Sequence, residues 1–90
     1  MKYVDKEELY WRLGHNHEVE IEYKNHRYTI EKCVNKYYIW DNEVDSKYIC
    51  LYKSEYEDQN MNIDALFNIE CLDGKSIKEL ENEIKIVYIF

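Results

Sequence analysis

From His17 to Tyr23 the chain follows a period of two, with Val19, Ile21 and Tyr23 on one side and Glu18, Glu20 and Glu22 on the other. A period of two is that of an extended strand, so the segment predicts a β-strand with one buried and one wet face. Such a face needs a second strand, and the sequence supplies one at once. Asn25-His26 reads as a two-residue hairpin loop needing positive φ, which Asn tolerates and His accepts less readily. Pairing Lys24 with Arg27 then sets Tyr23 opposite Tyr28, Ile21 opposite Ile30 and Val19 opposite Lys32, keeping the apolar residues on one face. The same register faces Glu20 with Glu31, a like-charge cross-strand pair that costs some tenths of a kcal/mol.

Val34-Asn35-Lys36 reads as the next turn and Tyr37 to Asp41 as a third strand. Both of its faces are apolar or aromatic, Tyr37 and Ile39 alternating with Tyr38 and Trp40, so the pattern leaves its register open. After a polar turn over Asp41 to Ser46, Lys47 to Lys53 gives a fourth strand in which Tyr48, Cys50 and Tyr52 alternate with Ile49 and Leu51. The result is an antiparallel meander.

Helices flank it. Asp5 can cap a first short helix while Glu8 bonds back three residues on, and Val4 and Leu9 stand where a hydrophobic staple would be. Leu9, Tyr10 and Leu13 make its apolar face, with Trp11 beside it, and Gly14 supplies a left-handed stop. Ser54 to Asn60 reads as a solvated acidic connection. Met61, Ala65, Leu66 and Ile69 then recur at helical spacing, with Asn60 as cap and Asp73-Gly74 as the break. Ser76-Ile77-Lys78-Glu79 is a capping box opening a further short helix whose Ile77, Leu80 and Ile84 face the core, and Lys85 to Phe90 is an apolar strand. The ninety residues thus predict one α+β domain over 1–90: an N-terminal helix, a four-stranded antiparallel meander, two short helices on one sheet face, and a C-terminal strand joining the sheet. Leu9, Leu13, Val19, Ile21, Ile30, Leu66, Leu80, Ile84, Ile86 and Tyr88 are the expected core.

Charge narrows the functional classes. Twelve basic against nineteen acidic side chains give a net charge of −7, which repels phosphate backbones and argues against direct nucleic-acid binding while favouring a protein partner with a basic surface. No apolar run approaches the roughly 18 residues of a membrane span, and the N-terminus turns acidic where a signal peptide turns apolar, so a cytoplasmic protein with no membrane partner is expected. Cys33, Cys50 and Cys71 form no C-x-x-C pair, and small buried thiols are the default. No cofactor-binding or nucleophile motif occurs, so no cofactor and no catalytic residues are expected. The alternative is a small metal-dependent enzyme using His15 and His17, which would share one face if both lay on a strand; His26, about 30 Å along the hairpin, cannot join them.

Two features point to a binding surface. Glu18, Glu20 and Glu22 project about 6.6 Å apart, with Glu31 across the ladder, a row of negative charge that also suits an ordinary solvated sheet face. Ten tyrosines exceed what so small a core can bury with hydroxyls satisfied, so some of Tyr37, Tyr38, Trp40, Tyr48, Tyr52 and Tyr56 should be exposed, a composition common at interfaces. Glu18, Glu20, Glu22, Glu31, Tyr38, Trp40 and Tyr52 are the candidate partner-binding residues. A homodimer burying the aromatics is the other possibility.

Lack of proline and scarce glycine and alanine, against heavy use of Lys, Asn, Ile and Tyr, suit an A/T-rich bacterial or phage genome. With D-K-E-E-L opening a helix, E-V-E-I-E-Y and R-Y-T-I as a hairpin and D-G-K-S-I-K-E-L before a last strand, the chain resembles small uncharacterised acidic proteins of low-GC Gram-positive bacteria and their mobile elements. In size and acidity it is also similar in type to phage-encoded inhibitors of bacterial defence systems, including anti-CRISPR proteins, some of which imitate DNA. That similarity shares no motif; together with the acidic face it makes a non-catalytic binding protein, of the phage-type inhibitor kind, that engages a basic groove on a nucleic-acid-handling partner the leading expectation.

Overall fold

The alternating segment forms a strand, as its period requires, and sits near the middle of a larger sheet than the meander alone. A computed structural model describes residues 2–3, 6–15, 18–44 and 47–89. In chain order its elements are β1 (Lys2–Tyr3), α1 (Lys6–His15), β2 (Glu18–Tyr23), β3 (His26–Cys33), β4 (Lys36–Val44), β5 (Lys47–Lys53), α2 (Gln59–Asn68) and β6 (Lys85–Ile89). Among the described residues six strands make one antiparallel sheet in the order β1-β6-β2-β3-β4-β5. The expected α+β class, the four-stranded meander and a C-terminal strand inside the sheet are all present. β1 was not foreseen, being only two residues long.

The first hairpin turns one residue earlier than the sequence reading placed it. Lys24 and Asn25 occupy the loop with φ of 51° and 63°, and Tyr23 pairs with His26. Positive φ at both central positions matches the right-handed twist of the flanking strands. The register is therefore displaced by two residues, which leaves every side chain on its predicted face because the pleat also repeats every two. Ile21 now faces Tyr28, Val19 faces Ile30 in place of Lys32, and Glu22 faces Arg27. The like-charge pair moves from Glu20 and Glu31 to Glu18 and Glu31.

In the second hairpin Cys33 pairs with Lys36 across Val34-Asn35, which fixes the open register and sends Tyr37 and Ile39 inward. Val34 has φ of 59° and is 83% exposed. A β-branched residue there is strained, since its Cβ crowds the following carbonyl.

α1 buries Leu9 and Leu13 and leaves Tyr10 and Trp11 outside, so Tyr10 is not part of the buried stripe. Gly14 lies within the helix and does not stop it, because α1 continues to His15, whose Nδ1 donates to the Trp11 carbonyl at 2.8 Å. The proposed cap and staple residues Val4 and Asp5 lie outside the described residues. α2 starts one residue before the expected cap Asn60: the Asp58 carboxylate accepts from the Asn60 and Met61 N–H groups at 2.7 and 3.1 Å. An aspartate satisfies two orphan donors at once, which Asn60 inside the helix cannot do.

The Ser76 box closes in both directions, Ser76 N–H to Glu79 Oε1 at 3.2 Å and Glu79 N–H to Ser76 Oγ at 3.1 Å. It opens a run of turns in place of the second short helix, with Asn82 at φ 70° within it. Even so, Ile77, Leu80 and Ile84 reach the core as predicted.

α1, α2 and these turns cover one sheet face. Leu9, Leu13, Ile63, Leu66, Phe67, Leu72, Ile77, Leu80 and Ile84 pack there against Val19, Ile21, Tyr23, Tyr28, Ile30, Tyr37 and Ile39. Ile86 is only partly buried, and the Tyr88 side chain and Phe90 lie outside what is described. The cysteines depart from expectation, Cys33 and Cys50 being exposed and Cys71 half-buried.

Candidate functional site

Alternation along β2, β3 and β4 directs one set of side chains away from the helices. On this outer face stand Glu18, Glu20 and Glu22 from β2, Arg27, Thr29 and Glu31 from β3, and Tyr38, Trp40 and Asn42 from β4. Six of the seven candidate residues therefore share one surface.

Tyr52 does not. It pairs with Ile39, an inward residue, while Trp40 pairs with Cys50, so one extra residue of β5 is accommodated between them. That bulge turns Tyr52 and Leu51 toward the core, against which both are partly buried. Burial raises the Tyr52 phenol above its ordinary pKa, and a hydrogen bond with Ser54 works in the opposite direction. Tyr37, also a candidate for exposure, is 1% exposed.

The acid row is less wet than expected. Only 18% of the Glu20 side chain and 15% of the Glu22 side chain are exposed, because β2 has a strand on either side and Arg27 reaches over from β3. Arg27 Nη1 lies 3.4 Å from Glu20 Oε1 and its Nε lies 3.7 Å from Glu22 Oε2. Glu18 and Glu31 form a different pair, directly opposed and alike in charge.

Glu31 joins the acids to the aromatics. Its Oε1 accepts from the Trp40 indole N–H at 3.2 Å, and the Trp40 ring stacks on Tyr38 with centroids 6.4 Å apart. Beside them Thr29 and Asn42 bond reciprocally at 3.0 and 2.8 Å. The surface is an acidic strip continued by two half-buried rings, suited to pairing with cations and to stacking. Arg27 belongs to this surface although the sequence analysis does not single it out. Its place on the Glu31 face was legible from alternation, but its reach to Glu20 and Glu22 depends on the true register.

The histidine pair is not built as a same-face strand pair. His15 ends α1, stacked on Trp11 at 4.3 Å, and His17 lies outside the described residues. Among the described residues no three His, Cys, Asp or Glu side chains are grouped to hold a metal ion, and no helix is long and apolar enough to cross a membrane. Comparison with protein-family models, curated proteins and solved structures returns no match.

Proposed function

We propose that the protein is a non-catalytic binding protein whose acidic outer sheet face engages a basic groove on a nucleic-acid-handling protein, in the manner of a phage-type, anti-CRISPR-like inhibitor. One observation carries the reading: Glu18, Glu20, Glu22 and Glu31 share the sheet face opposite the helices with the Tyr38–Trp40 stack. Carboxylates in a row about 6.6 Å apart present regularly spaced negative charge, as a nucleic-acid backbone does. A partner cation between Glu18 and Glu31 would relieve their repulsion, giving that pair the largest electrostatic gain on binding. Glu20 and Glu22 already have Arg27, so a partner gains less there.

The test is capture from the lysate of a matching host by immobilised protein, with and without duplex DNA as competitor, and with a variant carrying Gln at 18, 20, 22 and 31. The reading expects a basic nucleic-acid-binding protein to be captured by the parent, displaced by DNA, and not retained by the Gln variant. Capture that is indifferent to both DNA and the Gln changes would overturn it.

A further inference from the structure

The helix-covered face of the sheet has an opening of its own at the end marked by the Lys24-Asn25 turn. A cavity of about 420 Å³ is walled there by Tyr23, Lys24, His26, Asp41, Leu51 and Asp73, among others. Its volume is in the range of small-molecule sites, and it lies on the opposite side of the sheet from the acidic row.

A lysine–aspartate ion pair and a hydrogen-bonded histidine–aspartate pair line it. Lys24 Nζ is 3.8 Å from Asp73 Oδ2, a loose contact with both side chains about two-thirds exposed (64% and 68%). His26 Nε2 is 2.6 Å from Asp41 Oδ1, a close pair in which Asp41 is largely covered. Tyr23 is 3% exposed, and its buried hydroxyl has no hydrogen-bond acceptor among the described residues. The Lys24 ammonium beside it, 5.3 Å from the ring centroid, is itself a donor and leaves the phenolic proton unmatched. Buried polar groups are rarely left so, and the acceptor here has to come from the cavity, as water or as part of a ligand. Leu51 and the ring of Tyr28 add apolar wall.

These groups discriminate among ligand chemistries. A simple anion would satisfy Tyr23 and Lys24 but meet the Asp73 and Asp41 carboxylates. A simple cation would suit Asp73 but meet Lys24 and leave the Tyr23 proton unmatched. A molecule with a carboxylate and an ammonium a few ångströms apart satisfies both sets while opening only the loose Lys24–Asp73 contact.

We propose that this cavity binds a small zwitterion of the free α-amino acid class, its carboxylate taking the Tyr23 hydroxyl and the Lys24 ammonium, its ammonium taking Asp73, and an apolar side chain lying against Leu51. Tyr23→Phe and Asp73→Asn make the test clean. The first removes an unsatisfied hydroxyl without changing the ring, so the variant should melt no lower than the parent. The second keeps the left-handed backbone at φ 56°, which Asn tolerates. Isotope-labelled protein is titrated with leucine, and separately with acetate and isobutylamine, while backbone amides are followed by NMR. Leucine should give saturable shifts around Tyr23, His26 and Asp73 at concentrations up to about 10 mM, with each half-ligand clearly weaker and each variant binding about tenfold less tightly. Absence of saturable leucine shifts, unchanged leucine binding by Tyr23→Phe, or acetate or isobutylamine binding as well as leucine would overturn the proposal.

Discussion

The side-chain amide of Asn62 and the backbone of Tyr56 are bonded in both directions, Nδ2 donating to the Tyr56 carbonyl at 2.8 Å and the Tyr56 N–H donating to Oδ1 at 3.0 Å. Nδ2 also donates to the Asn35 carbonyl at 2.8 Å. One fully buried side chain of α2 thereby ties the β3–β4 turn to the connection after β5. Asn62→Ala leaves a backbone donor and two carbonyls without their partner, and about 2–4 kcal/mol of stability should be lost. Equilibrium unfolding in urea reads this as a lower midpoint at unchanged slope. A loss within about 0.5 kcal/mol would place the three bonds among the dispensable ones.

Val34 sits in the same corner and makes the opposite case. Its positive φ strains an L-residue by about 1–2 kcal/mol, and replacement by Gly gives back about 0.5–1 kcal/mol of that in backbone entropy. With the side chain 83% exposed, little packing is lost. Val34→Gly should therefore stabilise by about 0.5–1 kcal/mol, a rise of several degrees in Tm for a domain of this size. Calorimetry of the two proteins decides it, and a fall in Tm would show that the turn depends on the valine.

Cys71 predicts a pH dependence. Burial is the main cause that pushes its thiol up to about 11, and the neighbouring Cys50 adds to the rise. The folded state therefore keeps a proton that the unfolded chain, with its thiol near 9.0, has given up. Between those values the unfolded state binds fewer protons, so stability falls as pH rises. The Tyr37 and Tyr52 phenols, also raised mainly by burial, add to the fall above 10.0. Tm measured across this window should decline less steeply in Cys71→Ala than in the parent. Alkylation of the native protein should label the exposed Cys33 and Cys50 first and reach Cys71 last.

How much of this was legible depends on which interactions are local. Period two placed Val19, Ile21, Ile30 and Ile39 on strands, and the two-residue slip of the first hairpin changed partners without changing faces. Nothing in the sequence marks Lys24 for a positive φ, so the turn position was hidden. Tyr52 was misplaced because a bulge opposite Ile39 and Trp40 breaks the alternation that the prediction relied on. The cover over Glu20 and Glu22 comes from Arg27 and the strands on either side, including β6 from the far end of the chain, and neither contact is written in the local pattern. Asn62 carried a signal that was not used: it lies four residues before Leu66, on the face that α2 buries.

The core test follows from those correct placements. Ile21 and Leu66 are fully buried on facing layers. Truncating either to Ala removes methyl groups and leaves a cavity, at a cost of about 2–5 kcal/mol, a large share of the stability of so small a domain. Thermal unfolding of each variant checks it, and an unchanged Tm would contradict the packing described.

The acidic face yields the prediction with most consequence for function, and the observed register changes its form. Glu18→Gln or Glu31→Gln removes the like-charge pair and should raise stability by some tenths of a kcal/mol. Glu20→Gln and Glu22→Gln each weaken a partly exposed ion pair with Arg27, worth about 0.2–1 kcal/mol, and should lower it slightly. Partner binding should rank the other way from this small effect on folding: the 18 and 31 substitutions, although stabilising, should weaken association more than those at 20 and 22, because they remove carboxylates whose charge Arg27 does not already offset. Association by the parent should fall steeply with added salt, since steering between opposite charges is screened beyond a Debye length of about 8–10 Å. Trp40→Ala tests the adjoining rings, and it also frees the Glu31 carboxylate from its indole bond. If binding is lost with Trp40→Ala yet indifferent to salt and to all four Gln changes, the aromatic pair carries the interface and the acid row is only the solvated face of a sheet.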